Sequence, residues 1–248
     1  VTLPFDLREH ALVGETPTRR ERVALAPMSV ADFLAQTIAL VQRLGGRMDI
    51  HGTPNEIADA LPFAQDTAPR PYDRVAVERF HLALLSVQRV FERFRTGFLG
   101  KVSPVHVFWG SFDLAVTRFS GRPAPLHPGG IPALPDAVTR EAYSHEVSSA
   151  GFWPGGSGVR EPMFYSYAYP APAGFAEQPV RPAAARFDAT LGEFLLPYDA
   201  VRTSADPDGE LMAFLQSTYL AAANLAGWDR AALECGFGVP RTPRAVAG

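Results

Sequence analysis

The segment from Gly100 to Arg122, GKVSPVHVFWGSFDLAVTRFSGR, sets an imidazole, a carboxylate and a guanidinium (His106, Asp113 and Arg118) among apolar residues. Such neighbours belong in an interior, and an ionisable group taken out of water without a partner is costly, so these three need each other or a ligand. If Gly110-Ser111 is a two-residue turn, Phe108 faces Asp113 and His106 faces Ala115. His106 and Asp113 then lie diagonally on one face, where the carboxylate orients the imidazole and raises its basicity. If the strand runs on through Gly110, His106 and Arg118 share a face and Asp113 points away. Both registers are open at this level. A second cluster, YSHEVSSAGFWPGG from Tyr143 to Gly156, carries His145 and Glu146. In a strand these point to opposite faces, whereas in a helix Glu141 and His145 stack four apart. Either way a carboxylate stands beside an imidazole.

These residue types suit acid–base chemistry near neutral pH. His106 and His145 are the candidate acid/base groups, Asp113 and Glu146 their orienting carboxylates, and Arg118 a clamp for a carboxylate or phosphate. His127, in a loop beside Gly129-Gly130, Trp109 and Lys101 are candidate ligand-binding residues, and Trp109, Phe152 and Trp153 could floor a cavity. His106, His127, His145 and Glu146 have suitable donor types for a metal but no ligand spacing, so no metal ligand is assigned. The competing reading makes the same residues structural: His106 satisfied by a carbonyl or by Asp113, Arg118 paired with Asp113, and the whole a non-catalytic binding or interaction module. Tyr165, Tyr167 and Tyr169 alternate and share one strand face, which reads as half-exposed sheet surface rather than a cofactor bed. Cys235, with no base near it in sequence, reads as a bystander.

The elements that would hold these groups are legible from periodicity and punctuation. Arg22 to Ala26 reads as a strand. Ser29 is an N-cap with Asp32 at the third helical position, and the apolar spacing that follows ends at Gly45-Gly46. Met48 to His51 reads as a short strand, followed by a proline-punctuated connection. The clearest helix runs from about Asp73 to Phe98. Strand material covers Pro104 to Gly121, a loop covers 122–136, and Tyr143 to Trp153 with Met163 to Tyr169 forms a hairpin around a Gly-rich turn. Arg186 to Pro197 holds one more strand. Asp206-Pro207 opens a helix that reaches Gly227, and a short helix spans Trp228 to about Glu234. Helices flanking a block of short strands, without regular alternation, predict an α+β fold: a mostly antiparallel sheet packed by two or three long helices. A doubly wound parallel sheet is the alternative. A single domain over 1–248 is expected, with 1–27 an incomplete sheet edge and 236–248 a tail.

Composition bounds the class. The chain has 248 residues, 47% hydrophobic and 20% charged, a net charge of −3 and a pI near 6.1. Those values suit a folded protein with a small-molecule ligand and give no electrostatic footprint for nucleic acid or a membrane. One cysteine excludes an intramolecular disulfide framework and fits a cytoplasmic setting. Nucleotide-loop, Rossmann, zincin and nucleophile-elbow signatures are absent, so no cofactor and no reaction type is specified, and neither is oligomeric state. Lys101 is the lone lysine among 23 basic residues, a bias typical of high-GC bacterial coding.

Two long blocks, SPVHVFWGSFDLAVTRFSG and YSHEVSSAGFWPGG, joined by HPGG and followed by FYSYAYPAPAGF and GEFLLPYDAV, resemble a bacterial family known as a domain of unknown function, number five thousand nine hundred and ninety-six. The resemblance spans residues 28 to 234. It implies a shared site without naming a reaction. It also implies that the segment before Val1 is shortened relative to other members.

Overall fold

The computed structural model describes residues 1–55, 57, 59–108, 110–156, 159–239 and 241–243. It is an α+β protein with two antiparallel sheets, and the chain divides into two compact units, 1–83 with 131–134, and 84–130 with 135–248.

In the first unit, β1 (Phe5–Asp6), β2 (Ala11–Glu15) and β3 (Arg20–Ala24) pair in sequence order, with Val13 opposite Arg22. The first 24 residues therefore hydrogen-bond as a sheet of their own rather than as the edge of a larger one, which corrects the expected sheet edge. Helix α1 (Val30–Arg43) begins where the capping signal places it. Ser29 Oγ accepts from the Asp32 amide at 3.0 Å and donates to the Asp32 carboxylate at 2.7 Å. Leu12, Val23, Leu40, Val41 and Leu44 form the core, with Leu3, Phe33 and Met48 packed against it. Each such buried side chain contributes about 1.5–3 kcal/mol. A Cβ at Gly14 would sit 2.3 Å from Leu40 Cδ2, so this strand position is glycine to let the helix lie close. Residues 48–51 form no strand, contrary to expectation: Met48 is spent as one packing contact, without the alternation and strand partner a ladder needs.

Helix α2 (Arg74–Thr96) begins in the first unit and ends in the second. The second unit holds a six-stranded antiparallel sheet of β4 (His106–Phe108), β5 (Asp113–Pro123), β6 (His145–Trp153), β7 (Met163–Tyr169), β8 (Arg186–Asp188) and β9 (Glu193–Pro197), in the order β4-β5-β6-β7-β9-β8. The strand expected within 186–197 is β9, and β8 ahead of it makes the segment a hairpin. Asp188 accepts from the amides of Thr190 and Leu191, and Gly192 has φ +73°, so the chain turns between β8 and β9. Short helices α3 (Asp136–Ala142) and α4 (Tyr198–Arg202) interrupt segments that carry no helical period. Asp206 caps α5 (Pro207–Leu225) through the Gly209 amide, with Pro207 in the first turn, and α6 (Arg230–Leu233) follows. One face of the sheet presents Leu114, Val116, Phe152, Phe164, Phe194 and Leu196, all buried, and α5 packs on β6 and β7 with Leu211, Phe214, Leu215 and Tyr219 buried. Among the described residues no helix is long and apolar enough to cross a membrane.

Candidate functional site

The register of the sheet decides what the two sequence clusters can do. Phe108 pairs with Asp113 and His106 with Ala115, so the chain reverses between Phe108 and Asp113, with residues 110–112 in a turn, and His106 shares a face with Asp113. Ala115 in turn pairs with Gly151, whereas His145 pairs with Pro123 at the far end of β5. Six residues of strand separate His145 from Gly151, about 20 Å at the usual rise. His106 and His145, both candidate acid/base groups, therefore do not meet around one hollow. Antiparallel pairing joins the start of β5 to the end of β6, so two histidines near the starts of β4 and β6 are carried to opposite ends of the sheet. His145 Nδ1 instead lies 3.1 Å from Ser144 Oγ.

Arg118 is also not where an anion clamp belongs. Alternation places it on the helix-packed face, 1% exposed, with its guanidinium carbon 3.5 Å from the Phe94 ring centre, 4.4 Å from Tyr219 and 5.1 Å from Phe98. Nη2 donates to the Phe94 carbonyl at 2.5 Å, and Nε has no partner among the described residues. Burial lowers its pKa to about 10, still a cation at neutral pH, held by ring faces and inaccessible to a substrate anion. Glu146 points the opposite way from His145. Its Oε2 accepts from Arg122 Nε at 3.0 Å and Nη2 at 2.7 Å, and Arg122 also donates to the carbonyls of Ala226 and Gly227. Glu146 also lines a cavity of about 180 Å³ with Tyr169, Ala222 and Trp228. Lys101 is exposed, its Nζ 4.6 Å from the Phe119 ring centre. Trp109 lies outside the described residues.

What the fold does bring together is the other face of the sheet. Asp113, the first residue of β5, is 6% exposed, and Tyr165 on β7 donates its phenolic hydrogen to Asp113 Oδ2. The strand between them contributes Gly151, where a Cβ would collide with the Tyr165 ring. Tyr165 stacks on Tyr167 with centroids 6.2 Å apart and planes within 16°. Tyr167 Oη is 2.8 Å from Tyr143 Oη, and Thr117 Oγ1 is 2.9 Å from Ser149 Oγ. His127 stacks on Tyr143 at 4.8 Å and lies 5.0 Å from Tyr169. Its Nδ1 accepts from the Gly129 amide at 3.0 Å, which puts the proton of the neutral ring on Nε2. Asp113 and His127 thus stand at opposite ends of one row of phenols.

Glu193 completes the group. It begins β9 and pairs across the hairpin with Asp188, so two carboxylates face each other. Burial, followed by the negative charges of Asp113 and Asp188, raises its carboxyl to about 7. The Tyr165 and Tyr167 phenols are held well above their usual range, chiefly by burial, with Asp113 the next cause for Tyr165 and Tyr143 for Tyr167. Half-buried side chains at Tyr165, Tyr167 and Glu193 keep the face within reach of solvent. Sequence reading placed Asp113 and His106 here and missed Tyr165, Tyr167, Tyr143 and Glu193. The alternation of the tyrosines was the available signal, since it aims them at a single face. Among the described residues no group of three or more His, Cys, Asp or Glu could hold a metal ion.

The sequence model of DUF5996, a family of unknown function, matches residues 1–235, a longer stretch than the blocks that carried the resemblance. No curated protein and no solved structure matches the chain.

Proposed function

Because the chain belongs to the DUF5996 family of unknown function, its chemistry is read from its own residues, and we propose that it is an acid–base enzyme acting on a small molecule at the Asp113–Tyr165–Glu193 face of the sheet. The observation that carries this reading is the Tyr165–Asp113 hydrogen bond beside a carboxyl poised near neutral pH. A group whose pKa lies near the working pH is the one that can both take and return a proton. In this reading Glu193 exchanges the proton, the Asp113–Tyr165 pair fixes and polarises the substrate, and His106, on the same face, borders the site. Three neighbouring carboxylates, Asp113, Asp188 and Glu193, repel an anion, and stacked phenols favour a flat or cationic group. The substrate class is therefore neutral or cationic, not the anion that an accessible Arg118 would have implied. The composition and single cysteine support a bacterial, cytoplasmic setting for this chemistry.

One feature favours the non-catalytic reading. The Tyr143–Tyr167 and Thr117–Ser149 hydroxyl pairs satisfy each other, as a structural lattice would. A fragment screen in deuterated water separates the two. The enzyme reading expects at least one neutral or amine-bearing compound to lose a specific C–H signal to solvent exchange, and Glu193→Gln to abolish that exchange. Compounds that bind this face without exchange, or exchange untouched by Glu193→Gln, would overturn it.

A further inference from the structure

A second cluster of titratable side chains lies in the first unit. His10 closes the turn between β1 and β2, is 4% exposed, and holds a left-handed backbone with φ 50°, a conformation that is uncommon outside glycine and clusters at functional positions. Both of its ring nitrogens are engaged. Nε2 lies 3.1 Å from Glu78 Oε1, and Nδ1 lies 3.0 Å from Tyr72 Oη. An ionised carboxylate only accepts, so the Nε2 hydrogen belongs to the Glu78 bond, and Nδ1 is left bare to accept the phenolic hydrogen of Tyr72. The order carboxylate, imidazole, hydroxyl is that of a general-base-assisted nucleophile. Chain geometry fixes it: Asp73 caps α2 through the Ala76 amide, so Tyr72 stands just before the helix and Glu78 within its second turn, on either side of the imidazole. The imidazole is shielded from water, while Tyr72 is half-buried and reachable.

We propose that Glu78–His10–Tyr72 is a second reactive centre, in which Tyr72 is a nucleophile toward activated acyl esters, His10 its general base and Glu78 the positioning residue. The step balances as follows. Tyr72 Oη forms a bond to the ester carbonyl carbon, and the ester C–O bond breaks with its electron pair leaving on the alcohol oxygen. The phenolic proton passes to His10 Nδ1, and Glu78 holds the resulting imidazolium through Nε2–H. Burial raises the Tyr72 phenol above its usual pKa, so a free phenolate is scarce and the imidazole has to remove the proton within the step. Arg74, whose charge acts on the same phenol in the opposite sense, favours the negative charge that develops on the attacked carbonyl oxygen.

The test treats the full chain with p-nitrophenyl acetate and follows p-nitrophenolate release together with mass-spectrometric mapping of the acetyl group. The expected result is a burst approaching one equivalent, with acetyl on Tyr72. It should slow at least tenfold in Glu78→Gln and in His10→Asn, while the thermal melting curves stay unchanged. Asparagine tolerates the left-handed backbone at position 10, and Glu78, at 57% side-chain exposure, can be neutralised without touching a core. If His10→Asn fails to fold, Glu78→Gln alone decides. Acetylation of Tyr72 no faster than that of the other half-buried tyrosines, or a rate indifferent to Glu78→Gln, overturns the proposal and leaves His10 a satisfied structural histidine.

Discussion

Tyr165 reaches Asp113 across a whole strand, and it does so over Gly151, the position on β6 where a side chain would occupy the space of its ring. Gly151→Ala should therefore displace Tyr165 and break the bond to Asp113, at a cost of about 1–3 kcal/mol as an overpacking substitution. In a double-mutant cycle, Tyr165→Ala should relieve most of that cost, because the clash disappears with the ring. Chemical denaturation of the three variants checks this. Additive losses would mean that Gly151 is not there to clear the ring.

The position of Glu193 makes stability depend on pH. Its carboxyl is raised from 4.5 to about 7 in the folded state, so between those values the folded chain binds a proton that the unfolded chain has released. Below about 4.5 the group is protonated in both states and costs nothing. Stability then declines as pH rises through 4.5 to 7, and above that the full penalty, at most about 3 kcal/mol, applies. Glu193→Gln, which stays neutral, should flatten this slope and be the more stable protein at pH 8. Parallel melting curves of the two proteins from pH 5 to 8 would sink the assignment.

How much of this was readable before folding follows from interaction range. Ser29 with Asp32, and Asp206 with Pro207, are signals complete within four residues, and both caps form as expected. The register of Phe108 with Asp113 was one of two that the sequence left open, because nothing local says whether the strand stops at Gly110 or runs through it. Tyr165 with Asp113 and His10 with Glu78 join residues 52 and 68 apart, and nothing in the spacing of either pair distinguishes it from chance. Arg118 misled for a different reason. Aromatic rings 20 to 101 residues away solvate it, where the local sequence offered Asp113 as its partner. The separation of His106 from His145 needed the antiparallel order of β4, β5 and β6, which composition does not encode.

Arg118 is a stability residue. Among the described residues Arg118 makes no ion pair, and a buried cation of that kind gains little over an apolar side chain of similar length. Arg118→Met should therefore stay within about 1.5 kcal/mol of the parent protein, whereas Arg118→Ala, which leaves a void among Phe94, Phe98 and Tyr219, should lose about 3–5 kcal/mol. Ligand exchange at the Glu193 face should survive Arg118→Met. A folded Arg118→Met protein that has lost exchange would return the guanidinium to the site.

The distance between His106 and His145 predicts independence. With six residues of β6 between their levels in the sheet, no single substrate atom lies within reach of both imidazoles. Substitutions that far apart, with no shared partner, combine additively to within about 0.5 kcal/mol. His106→Ala should weaken ligand exchange at the Asp113 face, which it borders, by a modest factor. His145→Ala, whose ring meets Ser144, should leave exchange unchanged and alter stability by no more than about 0.5 kcal/mol, as for other surface positions. The double variant should then behave as the product of the two single ones in exchange rate. A synergistic loss would require the histidines to cooperate in one step, which the register of β4, β5 and β6 forbids.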